Sequence, residues 1–298
     1  MAVEMIAIVG PTASGKTRHA VELARTMGTE IISADSRQVY RGMTIGTGKD
    51  LDEYGEIPYH LIDICDAGEK YNLHRYIQDF RKAFDDISRK GKIPLLCGGS
   101  GMYVEAAISG ISLPDVPANP DLRKDLSGKS LRELTEILSS MKRLHNITDV
   151  DTEKRAIRAI EICQYYATHP DEARLADKSE ATPVNTRIIG IEIPRELRRQ
   201  RISMRLHERL SNGMLHEVET LLAKGLKPAD LIYYGLEYKF MTLHLIGEIG
   251  YDEMVKSLET AIHQFAKRQM TWFRGMERRG YKIEWHPFDK PIDLSDTI

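Results

Sequence analysis

The sequence predicts an α/β protein, a parallel sheet flanked by helices and interrupted by an all-helical insertion. Three observations lead there. Short apolar runs alternate with helical patterns in the first third of the chain, as βαβ units require. A proline-dense break follows, and strand character returns only near residue 187.

Met5–Val9, Glu30–Ser33 and Ile93–Cys97 are the first strand candidates, each bounded by Gly, Pro or Asp. They are apolar on both faces, as strands covered by helices on each side should be. Between them, Lys16–Met27 and Leu73–Arg89 space apolar residues three and four apart, the helical period. In the stretch 111–120, Pro114, Pro117 and Pro120 break any helix or central strand. Ser130–Met141 and Thr152–Ala167 then read as helices, followed by the polar stretch 168–183. Arg187–Ile193 is a strand again. Glu196–Leu210, Met214–Ala223, Gly235–Ile246 and Tyr251–Arg274 are helical, and Tyr281–Trp285 is a short closing strand. The expected organisation is a core of residues 1–113 with 186–298 and a helical insertion of residues 114–185.

Composition excludes several classes. The 298 residues are 42% hydrophobic and 29% charged, ordinary globular usage that argues against disorder, collagen and coiled coil. No apolar run approaches the ~18 residues needed to cross a bilayer. The first ten residues lack the basic start of a signal peptide and read as a strand. Three cysteines (Cys65, Cys97, Cys163) without a Cys-x-x-Cys pair argue against a disulfide framework or zinc site and fit a reducing cytoplasm. His60, His74 and His263 read as core or surface histidines, Cys97 as a small core residue and Met204 as a packing residue. A net charge of −2 gives no global sign of nucleic acid.

The chemistry begins at Gly10-Pro11-Thr12-Ala13-Ser14-Gly15-Lys16-Thr17, which matches G-x-x-x-x-G-K-[ST] between a strand and a helix. Such a nucleotide-binding (ATP-binding) P-loop curls its backbone so that successive N–H groups face phosphate oxygens, and the helix N-terminus adds positive charge. Lys16 reaches the distal phosphates and the Thr17 hydroxyl ligates Mg²⁺. Hydrolytic P-loop proteins usually end a later apolar strand in Asp, whereas here that strand ends Cys97-Gly98-Gly99. A carboxylate instead follows the second strand, at Asp35, on the edge where open α/β sheets bind ligands. This favours group transfer over hydrolysis. A small-molecule or nucleotide kinase and an RNA-binding module remain open at this point.

Further segments narrow the choice: Ile-Ser-Ala-Asp-Ser-Arg-Gln-Val-Tyr at 32–40, Gly-Met-Thr-Ile-Gly-Thr at 42–47, His-Leu-Ile-Asp-Ile at 60–64 and Ile-Pro-Leu-Leu-Cys-Gly-Gly-Ser at 93–100. Lys-Arg-Ala-Ile-Arg-Ala-Ile-Glu at 154–161 and Ala-Lys-Arg-Gln-Met-Thr-Trp-Phe at 266–273 complete the set. Together they resemble the tRNA dimethylallyltransferase (tRNA isopentenyltransferase) family along most of the chain. The resemblance implies transfer of a dimethylallyl group from dimethylallyl diphosphate to N6 of the adenosine 3′-adjacent to the anticodon of tRNA. It implies that residues 10–17 hold the diphosphate leaving group with Mg²⁺ at Thr17, that Arg201 and Arg205 reach the same diphosphate, and that Asp35 is the general base. It also implies tRNA contacts from Asp35, Ser36, Arg37, Gln38, Arg123, Lys154, Arg155, Ala156, Ile157 and Arg158. Ser100 stands where the family carries a Thr beside the reacting groups and the tRNA. The expected enzyme is a cytoplasmic monomer acting on the anticodon stem-loop.

Local charge agrees with an RNA partner. Arg195–Arg209 holds six Arg against two Glu, and His263–Lys282 holds six Lys or Arg against one Glu, with Trp272, Phe273 and Tyr281 between them. Two segments depart from the family pattern. Residues 234–240 read Tyr-Gly-Leu-Glu-Tyr-Lys-Phe, with Glu237 where Gly precedes Tyr in the family, and Ile262-His263 replaces Thr-Arg. Both fall in regions expected to contact tRNA, so a shift in acceptor preference is the alternative reading.

Overall fold

The computed structural model describes residues 2–111, 113, 115–142, 150–173 and 182–294. It divides into two compact units, residues 1–110 with 183–298 and residues 111–182. The boundaries expected from the sequence, 113/114 and 185/186, each fall three residues later than these.

The larger unit is built on six parallel strands: β1 (Met5–Val9), β2 (Ile31–Ser33), β3 (Tyr59–His60), β4 (Leu95–Gly98), β5 (Thr186–Glu192) and β6 (Ile283–Pro287), in the order β3-β2-β4-β1-β5-β6. This is the P-loop type of sheet that the sequence predicts. Strand β1 is buried along its whole length because β4 and β5 pair with it on either side. Ile6, Ile8, Ile31, Leu95, Ile189 and Ile191 form the centre of the core. Strand β3 escapes prediction because it has two residues, with Tyr59 exposed and His60 half-buried, and therefore no apolar run.

Register is what assembles the site. Val9 lies level with Gly98, and Ser33 lies level with Cys97. The loops that follow β1, β2 and β4 therefore open side by side on one edge of the sheet, the edge where ligands of such sheets bind. Gly98 is required by this approach: a Cβ there would stand 2.2 Å from the Ala34 carbonyl oxygen.

The opposite end of β2 is pinned by a buried carboxylate. Glu30 accepts hydrogen bonds from Lys90 Nζ (2.7 Å), His60 Nε2 (2.9 Å) and Lys92 Nζ (3.3 Å). Burial alone raises its pKa, but these partners outweigh burial and hold it down to about 2. A depressed acid contributes stability that is complete above its unfolded pKa and is lost as pH falls through the folded value. Glu30→Gln therefore lowers the melting temperature at neutral pH, and the gap to the wild type narrows as pH falls from 4.5 toward 2. A gap independent of pH in that window would count against the network.

Helices cover the sheet. α1 (Lys16–Met27) starts after Gly15 and ends at Gly28, whose left-handed backbone (φ 62°) lets its N–H donate to the last carbonyls. α2 (Leu73–Arg89) starts at Asn72, whose side chain accepts from Arg75 N. α3 (Gly101–Ser109) follows β4 directly.

In the smaller unit, α4 (Pro120–Leu126), α5 (Leu131–Met141) and α6 (Glu153–Thr168) pack around Leu126, Leu134, Leu138, Ala156, Ala159 and Ile160. Pro120 does not prevent a helix but opens one, at the first position where a missing N–H is harmless. Ser130 and Glu133 cap α5 reciprocally. Glu161, almost fully buried, accepts from Asn119 N (2.6 Å) and from Arg123 Nε and Nη2 (2.9 Å each), and it also pairs with Arg158.

Back in the larger unit, α7 (Arg195–Ser211), α8 (Met214–Ala223), α9 (Pro228–Tyr233), α10 (Leu236–Leu245) and α11 (Tyr251–Arg278) complete the chain. Met204, expected to pack, is 69% exposed on α7. Among the described residues no helix is long and apolar enough to cross a membrane.

Candidate active site

The phosphate loop has the backbone its sequence demands. Ala13 (φ 62°) and Gly15 (φ 83°) are left-handed, which turns consecutive N–H groups the same way ahead of α1. Such a conformation is costly for Ala, and strain of this kind gathers at functional sites. The Ser14 hydroxyl is buried without a partner. Gln269 of α11 braces the loop: its Oε1 accepts from Thr12 N (2.8 Å) and its Nε2 donates to the Gly99 carbonyl (2.9 Å). One carboxamide thus joins the turn after β1 to the turn after β4.

Asp35 follows β2, and its Oδ1 accepts from the backbone N–H of Arg37 at 2.9 Å, which fixes the carboxylate orientation. The Ser100 hydroxyl accepts from Ser36 N (3.1 Å) and lies 3.4 Å from the Ser36 hydroxyl, tying the turn after β4 to the turn after β2. Gln38 is held internally by Ser33 and by the Gly48 carbonyl. The Arg37 guanidinium lies 5.6 Å from the centre of the Tyr233 ring. Cys97 is buried beneath the site, and burial pushes its thiol up to about 12, which leaves it no nucleophilic role.

A cavity of about 490 Å³ opens here. Lys16, Asp35, Ser36, Arg37 and Ser100 all line it, as does Thr12 of the loop. Its aromatic rim includes Trp272 and Phe265, each 37% exposed. Thr17 lies outside this lining, as the second residue of α1. Among the described residues no three His, Cys, Asp or Glu side chains gather to hold a metal.

The expected diphosphate arginines part company. Arg205 pairs with Asp50 and lines a small cavity with Thr12 and Ala13, where burial and the adjacent Arg209 lower its pKa against the pull of Asp50. The Arg201 guanidinium lies 4.5 Å from the centre of the Phe288 ring. Arg209, which sequence reading counted only toward a basic total, lines the main cavity and is held by Asp50 at 3.2 Å.

In the helical unit Lys154 and Arg155 are exposed, Ile157 is half-buried, and Ala156 is fully buried in the core. Arg123 and Arg158 are engaged by Glu161. The two basic segments seen in the sequence meet in the larger unit. Arg195, Arg198 and Arg199 of α7 and Lys267 and Arg274 of α11 line a second cavity of about 790 Å³. The Arg198 Nε there is buried without a partner.

Sequence reading missed the clamp that shapes the far wall. Glu217 of α8 accepts from the backbone N–H groups of Thr44 (2.8 Å), Ile45 (2.8 Å) and Gly46 (3.0 Å) and from the Tyr238 hydroxyl (2.5 Å). No local pattern signals it, because the three backbone donors lie more than 170 residues from the acceptor. Glu217→Ala strands these donors and should cost about 2–4 kcal/mol, read as a lower midpoint in urea unfolding. A loss under about 0.5 kcal/mol, the scale of an ordinary surface change, would deny the clamp its role.

The IPP transferase family model matches residues 38–276, and an isopentenyl transferase model matches residues 3–56. The chain is 61% identical to tRNA dimethylallyltransferase 1 of Parabacteroides distasonis over 95% of this chain and 92% of that protein. It is 49% identical to tRNA dimethylallyltransferase 1 of Geotalea daltonii, over 96% and 91% respectively. The full-length tRNA isopentenylpyrophosphate transferase of Bacillus halodurans superposes with a TM-score of 0.69 at 31% identity, covering 98% of this chain and 92% of that one. A family model matched over most of the chain and relatives matched over nearly their whole length lead to one conclusion: this chain belongs to the tRNA dimethylallyltransferase (IPP transferase) family.

Proposed function

We propose that the protein transfers a dimethylallyl group from dimethylallyl diphosphate to N6 of the adenosine 3′-adjacent to the anticodon in tRNA, releasing diphosphate. The observation that carries this reading is the placement of Lys16 and Asp35 on one cavity, with the phosphate loop at its base. The donor's diphosphate lies along residues 10–17, where backbone N–H groups and Lys16 stabilise charge as the allylic C–O bond breaks. The electron pair of that bond leaves with the diphosphate. The N6 lone pair forms the new C–N bond, and Asp35 accepts the N6 proton. Arg205 adds positive charge beside the loop. Thr17 would hold Mg²⁺ together with phosphate oxygens, which supplies further charge neutralisation when the ion is bound.

The acceptor base must leave its stack to reach Asp35, a cost of a few kcal/mol. Trp272 and Phe265 at the rim offer it a stacking surface, and Ser36, Arg37 and Ser100 line its path. Arg195, Arg198, Arg199, Lys267 and Arg274 supply charge for the RNA backbone, as do Lys154 and Arg155 of the helical unit. One chain supplies both cradle and base, and we take the working unit to be a monomer acting on the tRNA pool of the cytoplasm.

The test is incubation with labelled dimethylallyl diphosphate, Mg²⁺ and bulk tRNA, followed by digestion and nucleoside analysis. N6-dimethylallyladenosine is the expected product. ATP consumption without prenyl incorporation would place the protein with the kinases instead.

A further inference from the structure

Among the residues lining the main cavity, two carry carboxyls, Asp35 and Glu237. The mechanism uses the first and leaves the second unexplained. Glu237 sits in the first turn of α10, just after Gly235, whose positive φ of 137° turns the chain into the helix. Its neighbour Tyr238 is fully buried and anchored to Glu217, so this turn is fixed against the wall of the cavity.

No side chain among the described residues hydrogen-bonds the Glu237 carboxyl. The nearby cations have other partners: Arg209 is held by Asp50 and Arg37 lies over Tyr233. Burial raises the Glu237 pKa, its own backbone N–H and Arg209 lower it, and Asp35 raises it further. The carboxyl is half-buried with only its own backbone N–H against it, so it keeps hydrogen-bonding capacity for a ligand in the cavity.

The acceptor already assigned to this cavity has such groups. An adenine amine carries two N–H bonds, one beside N1 and one beside N7. A neutral carboxyl presents an acceptor oxygen and an O–H donor side by side, which matches the N6–H and N1 of the Watson–Crick edge.

Resting on the prenyl-transfer reading above, we propose that Glu237 reads the Watson–Crick edge of the acceptor adenine. It accepts the N6–H beside N1 and donates to N1, which leaves the other N–H turned to Asp35. Glu237 is thus a specificity-determining residue in a segment where this chain departs from the family pattern.

The experiment measures binding and prenylation of an anticodon-loop RNA hairpin bearing adenosine or 1-deazaadenosine at the target position. The 1-deaza base replaces N1 with C–H and keeps the amine. Wild type should bind the adenosine hairpin about tenfold more tightly than the 1-deaza hairpin. Glu237→Ala should bind both equally and weakly. Glu237→Gln, which keeps an acceptor beside a donor, should restore most of the preference and guards against a variant that merely misfolds. Equal preference in wild type and Glu237→Ala overturns the proposal, as does a wild type that ignores the change at N1. The prenylation arm separates the two readings. A wild type that binds the hairpin but never prenylates it refutes the transferase reading, whereas normal prenylation with an unchanged preference in Glu237→Ala refutes only the role of Glu237.

Discussion

Asp35→Asn should slow prenyl transfer by about two to four orders of magnitude while leaving the protein folded, the range expected for loss of a positioned general base. The substitution is chosen with the geometry in mind. The Asp35 Oδ1 accepts from Arg37 N, and an Asn oxygen can accept the same bond, so the turn after β2 survives. What disappears is the ability to take a proton. An N6 amine that has attacked the allylic carbon carries a positive charge until that proton leaves, and a positioned carboxylate takes it faster than bulk water. Single-turnover transfer with saturating donor isolates the step, and an unchanged melting temperature shows that the scaffold is intact. A rate within a few-fold of wild type would move the base elsewhere in the cavity.

Lys16→Ala should have the second largest effect, a loss of about two to three orders of magnitude in rate together with weakened diphosphate binding. Lys16 lies at the opening of α1 on the same cavity as Asp35, where charge accumulates on the departing diphosphate. The loop N–H groups not engaged by protein acceptors remain in the variant, so binding is reduced rather than abolished. Lys16→Arg should recover little, because a planar fork is a poor substitute for a compact ammonium in a nest formed for one. Isothermal titration with diphosphate, beside the transfer rate, checks both halves of the expectation. An unchanged dissociation constant would show that the loop grips phosphate without its lysine.

What the sequence made legible follows from range. Met5–Val9 and Lys16–Met27 carry their own period and end signals, and both elements stand at the predicted residues. The phosphate loop is contiguous, so eight consecutive residues declared it. Asp35 was readable because a strand end places it on the ligand edge of any parallel sheet. The walls of the cavity were not readable. Gln269 reaches Gly99 across 170 residues and Thr12 across 257. Arg201 and Arg205 looked equivalent one turn apart, yet only the packing of α7 decides that Arg205 meets Asp50 while Arg201 meets Phe288. Glu237 was visible as a departure from the family pattern, but only the fold puts its carboxyl on the same cavity as Asp35.

The Gln269 carboxamide has a mechanical consequence. Because its two ends grip Thr12 and Gly99, neither turn can swing outward without dragging the twenty-eight-residue helix that carries the amide. The cradle is in effect splinted to a long spar, which opposes any outward swing of either turn before the donor arrives.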